Sequence, residues 1–310
     1  MAMRNGPISR RGLLRGAGAA AAATALAACG SNTGRSGSGG SKVALSQWYH
    51  QYGEAGTQQA AEKFAKAYKD AAVTIQWIPG EYDAKLNSAL LGSDGPDVFE
   101  GHFNLQMAKS GQVVPLDDIL ADAKSDFSDI DLSINTSGGK VYGIRMIDDP
   151  QLFIYRKSML DKAGVKPPTT FDELIAASKA LNTKDVKGIF MGNDNGVDWA
   201  GAQMLAATGQ TFLTPDNKVG FNSDRTIAGM LKVKELVDSK TTLSGAPTNW
   251  WDPSAFNQGL CAMSRQGMWA IPGIQKAIGD DFGVFPTPAF DGGRPAVYVG
   301  GWTTFVSAKS

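Results

Sequence analysis

From Lys42 onward the chain alternates short strand-like runs with amphipathic helical ones, and that alternation confines it to a layered α/β fold. Residues 43–49 read as a strand, after which Ala60, Ala61, Phe64, Ala67 and Tyr68 recur at helical spacing. Residues 73–78 give a second strand and 82–91 a helix. Asp97, Val98 and Phe99 give a short third strand after the turn at Gly95-Pro96, completing a βαβαβ unit. Gly138-Gly139 precedes the run 141–144, and 152–155 is a further strand. In the second set, Thr170 with Glu173 three residues later forms a capping box for a helix over 171–181, and 187–191 is a strand. Helices over 198–207 and 224–237 flank a turn at Pro215-Asp216-Asn217. Two units of about 100 residues each imply two lobes.

The first 41 residues stand apart from this pattern. Arg4, Arg10, Arg11 and Arg15 precede a mildly apolar run over 16–28 with no acidic residue, the composition of an export signal. Ser9-Arg10-Arg11-Gly12-Leu13-Leu14 resembles a twin-arginine signal. Leu26-Ala27-Ala28-Cys29 resembles the bacterial lipobox, in which Cys29 would be acylated and become the mature N-terminus. Nine of the twelve residues from Gly30 to Ser41 are Gly or Ser, which makes a flexible tether of roughly 20 Å. Loss of residues 1–28 removes four arginines and no acid from a charge-balanced chain, leaving a formal charge of −4.

That balance, with no long basic run after the signal, argues against binding nucleic acid through its phosphates. Two His and two Cys in the whole chain leave almost nothing for a zinc site or a disulfide framework, so no cofactor or metal is expected. No apolar run reaches the roughly 20 residues of a membrane-spanning helix. Cys261, within the apolar run Leu260-Cys261-Ala262-Met263, reads as an inert core thiol.

Candidate chemistry therefore rests on aromatics, carboxylates and amides. Trp48 is near the end of a strand, Trp250 and Trp251 lie in a loop, Trp269 follows Gly267-Met268, and Trp302 follows Gly300-Gly301. Ligands of α/β sheets gather at strand carboxyl ends, and a flat apolar ring beside acids and amides suits a sugar, with its C–H face and hydroxyl rim. Each Trp is read either as such a platform or as packing, and mid-strand Trp77 as packing. Glu54, Glu100, Asp148, Asp149, Asp194 and Asp198 mostly follow strands, as do His50 and His102. A carboxylate pair would suit a glycosidase, but the sequence holds no G-x-S-x-G, Walker loop or H-E-x-x-H, and the 193–196 loop lacks calcium-loop spacing. An enzyme is not expected.

The residues also carry a family resemblance. Gly139-Lys140-Val141-Tyr142-Gly143-Ile144, Leu152-Phe153-Ile154-Tyr155-Arg156-Lys157, Lys162-Ala163-Gly164-Val165 and the run from Pro167 to Leu174 resemble the extracellular solute-binding proteins of ABC importers, family 1, carbohydrate type. Gly95-Pro96-Asp97-Val98, Ala255-Phe256-Asn257-Gln258-Gly259, Gly267-Met268-Trp269 and Asp281-Phe282-Gly283-Val284 follow in the same order.

The resemblance implies a two-lobed periplasmic-binding-protein-like α/β fold with hinge strands, closing on a sugar or oligosaccharide that is passed to an ABC permease. It implies crossings at 152–155, 262–264 and 299–301, hence first-lobe segments at 42–151 and 262–298. Second-lobe segments fall at 152–261 and 299–310, the last truncated because the family continues beyond this point. Trp269 matches the family's stacking tryptophan, and Asp149, Asp194 and Trp199 match positions that face the sugar. Residues 48–54 and 100–104 match loops that border the cleft. Arg145 stands where many members have Pro. With the Cys29 lipid, the protein would be held at the outer face of the bacterial cytoplasmic membrane. A polyol or glycerophosphodiester is the alternative solute, and an exported carbohydrate-active enzyme the alternative class.

Overall fold

One mixed sheet organises both lobes. The computed structural model describes residues 42–193, 205–212, 214, 218–246 and 248–310. Its strands are β1 (Val43–His50), β2 (Ala71–Ile78), β3 (Val98–Gly101), β4 (Thr136–Ser137), β5 (Lys140–Val141), β6 (Gly143–Arg156), β7 (Lys187–Phe190), β8 (Cys261–Gly267), β9 (Phe282–Phe285) and β10 (Tyr298–Val306). The sheet order is β2-β1-β3-β10-β6-β8-β7, with β9 also on β6, while β4 and β5 form a separate hairpin. β1 and β3 are parallel, as are β7 and β8, and β10 runs antiparallel to both β3 and β6.

The long strand β6 belongs to both halves. Residues 143–151 pair with β10, whereas Gln151 to Tyr155 pair with β8 and Phe153 to Arg156 with β9. The first half of the sheet is closed by Ile78, Tyr82, Leu86, Leu90, Phe99 and Phe305, so the helix Tyr82–Leu91 packs its buried stripe on β1 and β3. The second half is covered on both faces. Phe153 and Ile154, adjacent on β6, point to opposite faces and enter two different cores.

Local sequence explains the helix that closes the first of those cores. Thr170 caps Phe171–Leu181 by accepting from the Glu173 N–H at 3.2 Å, and the Glu173 carboxylate accepts from the Thr170 N–H at 3.2 Å, the expected capping box. Leu174, Ile175, Ala177 and Leu181 then face the sheet.

The pairings correct the expected return segments. β8 lies between β6 and β7 and its neighbours Phe256, Ala270 and Ile274 share the core of Ile154, so residues 261–285 stay with the second half. The return to the first half is β10, which pairs with β3 through Thr303 to Val306. Among the described residues the sheet passes between the halves on β6 and on β10, and not at 262–264. Cys261 is fully buried, and burial pushes its thiol up to about 12, which keeps it unreactive. Among the described residues no helix is long and apolar enough to cross a membrane.

Candidate cleft at the junction of the two halves

The parallel strands β1 and β3 end side by side and deliver His50 and Glu100 to the junction. Glu100 has no solvent exposure, and its carboxylate accepts the His50 backbone N–H, the His50 ring Nδ1–H and, at 2.5 Å, the Tyr52 hydroxyl. The Tyr82 hydroxyl adds a bond to the Glu100 carbonyl at 2.7 Å. Burial, reinforced by the Glu100 charge, pushes both phenols well above their ordinary range, so they remain donors. Trp302 joins this wall from β10: the imidazoles of His50 and His102 stack on it at 4.2 Å and 4.4 Å. The β10–β6 ladder shifts register between Trp302 and Thr303, directly after this residue.

The second wall is built on β6 and β8. Asp149 and Gln151 share one face of β6, with Gly300 opposite Asp149 and Gly267 opposite Gln151. Gly267 is needed as bare backbone. A Cβ on Gly267 would fall 1.8 Å from Cζ3 of Trp269, so the indole lies directly over that residue. The Trp269 Nε1–H donates to the Trp251 carbonyl at 2.9 Å, and Trp250 meets the Trp269 ring edge-on at 5.6 Å. Arg265 lies over the Trp250 ring with Cζ 4.6 Å from its centroid.

The turn that carries Trp269 also gives Asp149 its donor, the Met268 N–H at 3.3 Å. Burial, then the nearby Glu54 charge, raise the Asp149 carboxyl from 3.8 to about 6 against that bond. The loop carrying Glu54 touches the same turn, since a Cβ on Gly53 would come within 3.0 Å of the Trp269 carbonyl. Three buried acceptors in this region have no partner: Glu54 Oε2, Gln151 Oε1 and Gln266 Oε1. The Gln266 amide is fixed by its donations to the Trp250 carbonyl at 3.1 Å and the Ser264 hydroxyl at 3.2 Å.

Of the residues predicted from sequence, the junction brings together His50, Glu54, Glu100, His102, Asp149, Trp250, Trp251, Trp269, Gly300, Gly301 and Trp302. Trp48 packs against the core of Tyr82 and Leu86, as Trp302 does, while Tyr49 on the opposite face of β1 stacks on Trp77 at 5.1 Å. Glu100 is wholly enclosed and acts on the junction through His50 and Tyr52. Asp194 and Trp199 lie outside the described residues, as does Cys29. Arg145 donates to Asp148 at 3.0 Å and to the carbonyls of Val299 and Gly300, so it fastens β10 at its crossing. Sequence reading missed Tyr52, Gln151 and Gln266. The signal for the two glutamines was present as amides at the ends of apolar strand runs, beside Asp149 and before Gly267. Among the described residues no group of three or more His, Cys, Asp or Glu is placed to hold a metal.

Two α/β halves joined by a shared sheet, with aromatics and amides gathered at the two crossings, define the two-lobed architecture of periplasmic solute-binding proteins. The chain belongs to the bacterial extracellular solute-binding protein family, whose profile matches residues 47–310. It is 26% identical over 279 residues to a probable ABC transporter-binding protein of Deinococcus radiodurans, covering 82% of this chain and 64% of the relative. It is 23% identical over 275 residues to the arabinooligosaccharide-binding protein of Bacillus subtilis, covering 81% of this chain and 62% of that one. The chain thus spans slightly less than two thirds of these relatives' length. Among solved structures, the GacH receptor of Streptomyces glaucescens, described unliganded and with acarbose, aligns with a TM-score of 0.73 at 27% identity, covering 87% of this chain and 72% of that one.

Proposed function

We propose that this chain is the substrate-binding component of an ABC importer, capturing a sugar or oligosaccharide between its two halves and presenting it to a permease. No bond is made or broken. The observation that carries this reading is the Trp269 indole laid over Gly267 beside Asp149 and Gln151, where a ring face and unpartnered acceptors adjoin. A saccharide supplies both a C–H face and a rim of donors. Closure would come from changes at the two crossings of β6 and β10. Trp269 would stack on the ligand, Asp149, Glu54 and Gln151 would accept from it, and His50, His102 and Trp302 would form the opposite wall. Trp250 and Trp251 would brace Trp269, and Gly300 and Gly301 would keep the floor open. Asp194 and Trp199 are proposed contacts on the resemblance alone.

Export under the N-terminal signal and acylation at Cys29 would hold the protein at the outer face of the bacterial cytoplasmic membrane. Cys29→Ser should release it from the membrane fraction, and retention there would refute the anchor. The binding reading is tested by thermal unfolding against sugars, polyols and glycerophosphodiesters, since a ligand specific to the folded state raises the midpoint. A shift with saccharides that disappears in Trp269→Ala supports the assignment. A shift with glycerophosphodiesters alone transfers the reading to that solute class, and saccharide turnover lost in Asp149→Asn would replace the receptor with an enzyme.

A further inference from the structure

We infer that Glu100 is a positioning residue for His50: it keeps the ring proton on Nδ1, so that His50 meets the junction with a bare Nε2 lone pair that accepts a ligand hydroxyl. The inference rests on the receptor reading above and concerns how one wall of that site selects its ligand.

Glu100 itself has no room to meet a ligand. It has no solvent exposure, and both carboxylate oxygens are taken, Oε1 by the backbone N–H and ring Nδ1–H of His50 and Oε2 by the Tyr52 hydroxyl at 2.5 Å. What it does is fix a ring. One oxygen holds both the main chain and the side chain of His50, which ties the imidazole to the end of β1. Trp302 stacks on that ring at 4.2 Å and 24°, and Tyr52 tilts against it at 4.1 Å.

The free edge of the ring decides the chemistry. A neutral imidazole has one N–H and one lone pair, and the group that binds one nitrogen sets what the other presents. An ionised carboxylate only accepts, so Nδ1 carries the hydrogen and Nε2 carries none. Nε2 bonds to none of the described residues and is not among the buried atoms that lack a partner, while the side chain is 22% exposed, so this atom is open. It opens beside the crossing, since Trp302 follows Gly300 and Gly301 on β10. A sugar hydroxyl can donate there and a deoxy or O-methylated position cannot, so His50 selects for a free hydroxyl.

Long-range proton–nitrogen correlation spectra of the full chain near neutral pH read the tautomer directly. The chain has two histidines, and His50→Phe assigns the signals. His50 is expected as the single Nδ1–H form; Glu100→Leu should release a mixture, and Glu100→Gln, which keeps an acceptor, should restore the single form. Calorimetry then uses the trisaccharides maltotriose, raffinose and arabinotriose. His50→Phe keeps a ring against Trp302 without the lone pair and should bind about ten-fold more weakly, the worth of one hydrogen bond. One monodeoxy form of the bound sugar should lose the same factor with the parent and nothing with His50→Phe, because the two changes remove one bond. Glu100→Leu should weaken binding and Glu100→Gln restore it, a rescue that packing alone would not produce. If thermal unfolding shows that Glu100→Leu does not fold, the parent spectrum and His50→Phe decide the matter. An Nε2–H or doubly protonated ring in the parent, or unchanged affinity in His50→Phe, overturns the inference and leaves the receptor reading standing. Absence of binding to the parent by these sugars and by the wider saccharide panel removes both.

Discussion

On the β1–β3 wall Glu100 is completely enclosed and meets three donors, whereas on the β6–β8 wall Gln151 and Gln266 are about as enclosed and each keeps an oxygen with none. Equal burial with unequal satisfaction separates two roles. A buried polar group with its full set of partners stabilises a unique arrangement, while one left short of a partner costs free energy until something supplies it. The first wall is assembled by folding. The second, on the proposed reading, would be completed by the ligand.

The sharpest way to break this contrast is to truncate one group from each wall. Glu100→Ala strands the His50 and Tyr52 donors and should cost about 3–5 kcal/mol in denaturant unfolding. Gln151→Ala removes an already unpartnered oxygen and should stay within about 1 kcal/mol while weakening ligand binding. Comparable losses in the two variants would refute the division.

A smaller effect is expected from Gly267→Ala, which forces the Trp269 ring off the strand. Overpacking of this kind costs about 1–3 kcal/mol, and binding should fall with it. An unchanged near-ultraviolet dichroism spectrum and unchanged affinity would show that the ring has another seat.

Asp149 offers a pH test of the second wall. Its carboxyl is raised from 3.8 to about 6, so the folded state favours the protonated form, and stability from this group is lost as pH rises from about 4 to 6. Asp149→Asn should match the parent below pH 4 and exceed it above pH 6, by on the order of 1–2 kcal/mol or a few degrees in midpoint. A variant less stable than the parent at pH 7 would mean that the carboxylate is already compensated. Least affected should be Trp251→Ala: its ring is half exposed and the Trp269 bond uses its backbone carbonyl, so stability should move by less than about 0.5 kcal/mol.

Much of the fold was legible because its signals are local. The capping box fixed the start of the helix Phe171–Leu181, and the apolar spacing of Tyr82, Leu86 and Leu90 fixed Tyr82–Leu91. The turn at Gly95-Pro96 announced β3. The order of strands was not legible in the same way. Whether β8 or β10 returns to the first half depends on pairing between residues some 200 positions apart, as Thr304 with Glu100, and no local pattern encodes that choice. The site was partly legible through Trp269 and Asp149, whose residue types announce themselves. Gln151 was overlooked because an amide beside an apolar run resembles an ordinary strand end.

The crossing on β6 and β10 has a consequence for how the molecule could be watched. There Pro150 faces Val299 and has no N–H to contribute, and Gly300 and Gly301 follow with no side chains to shield the backbone. The ladder lacks one donor where β6 and β10 cross between the two halves. The amide protons of Gly300 and Gly301 should trade with solvent sooner than those of Thr304 and Phe305 on the same strand, making this stretch an internal gauge whose exchange rate reports the state of the junction without any label.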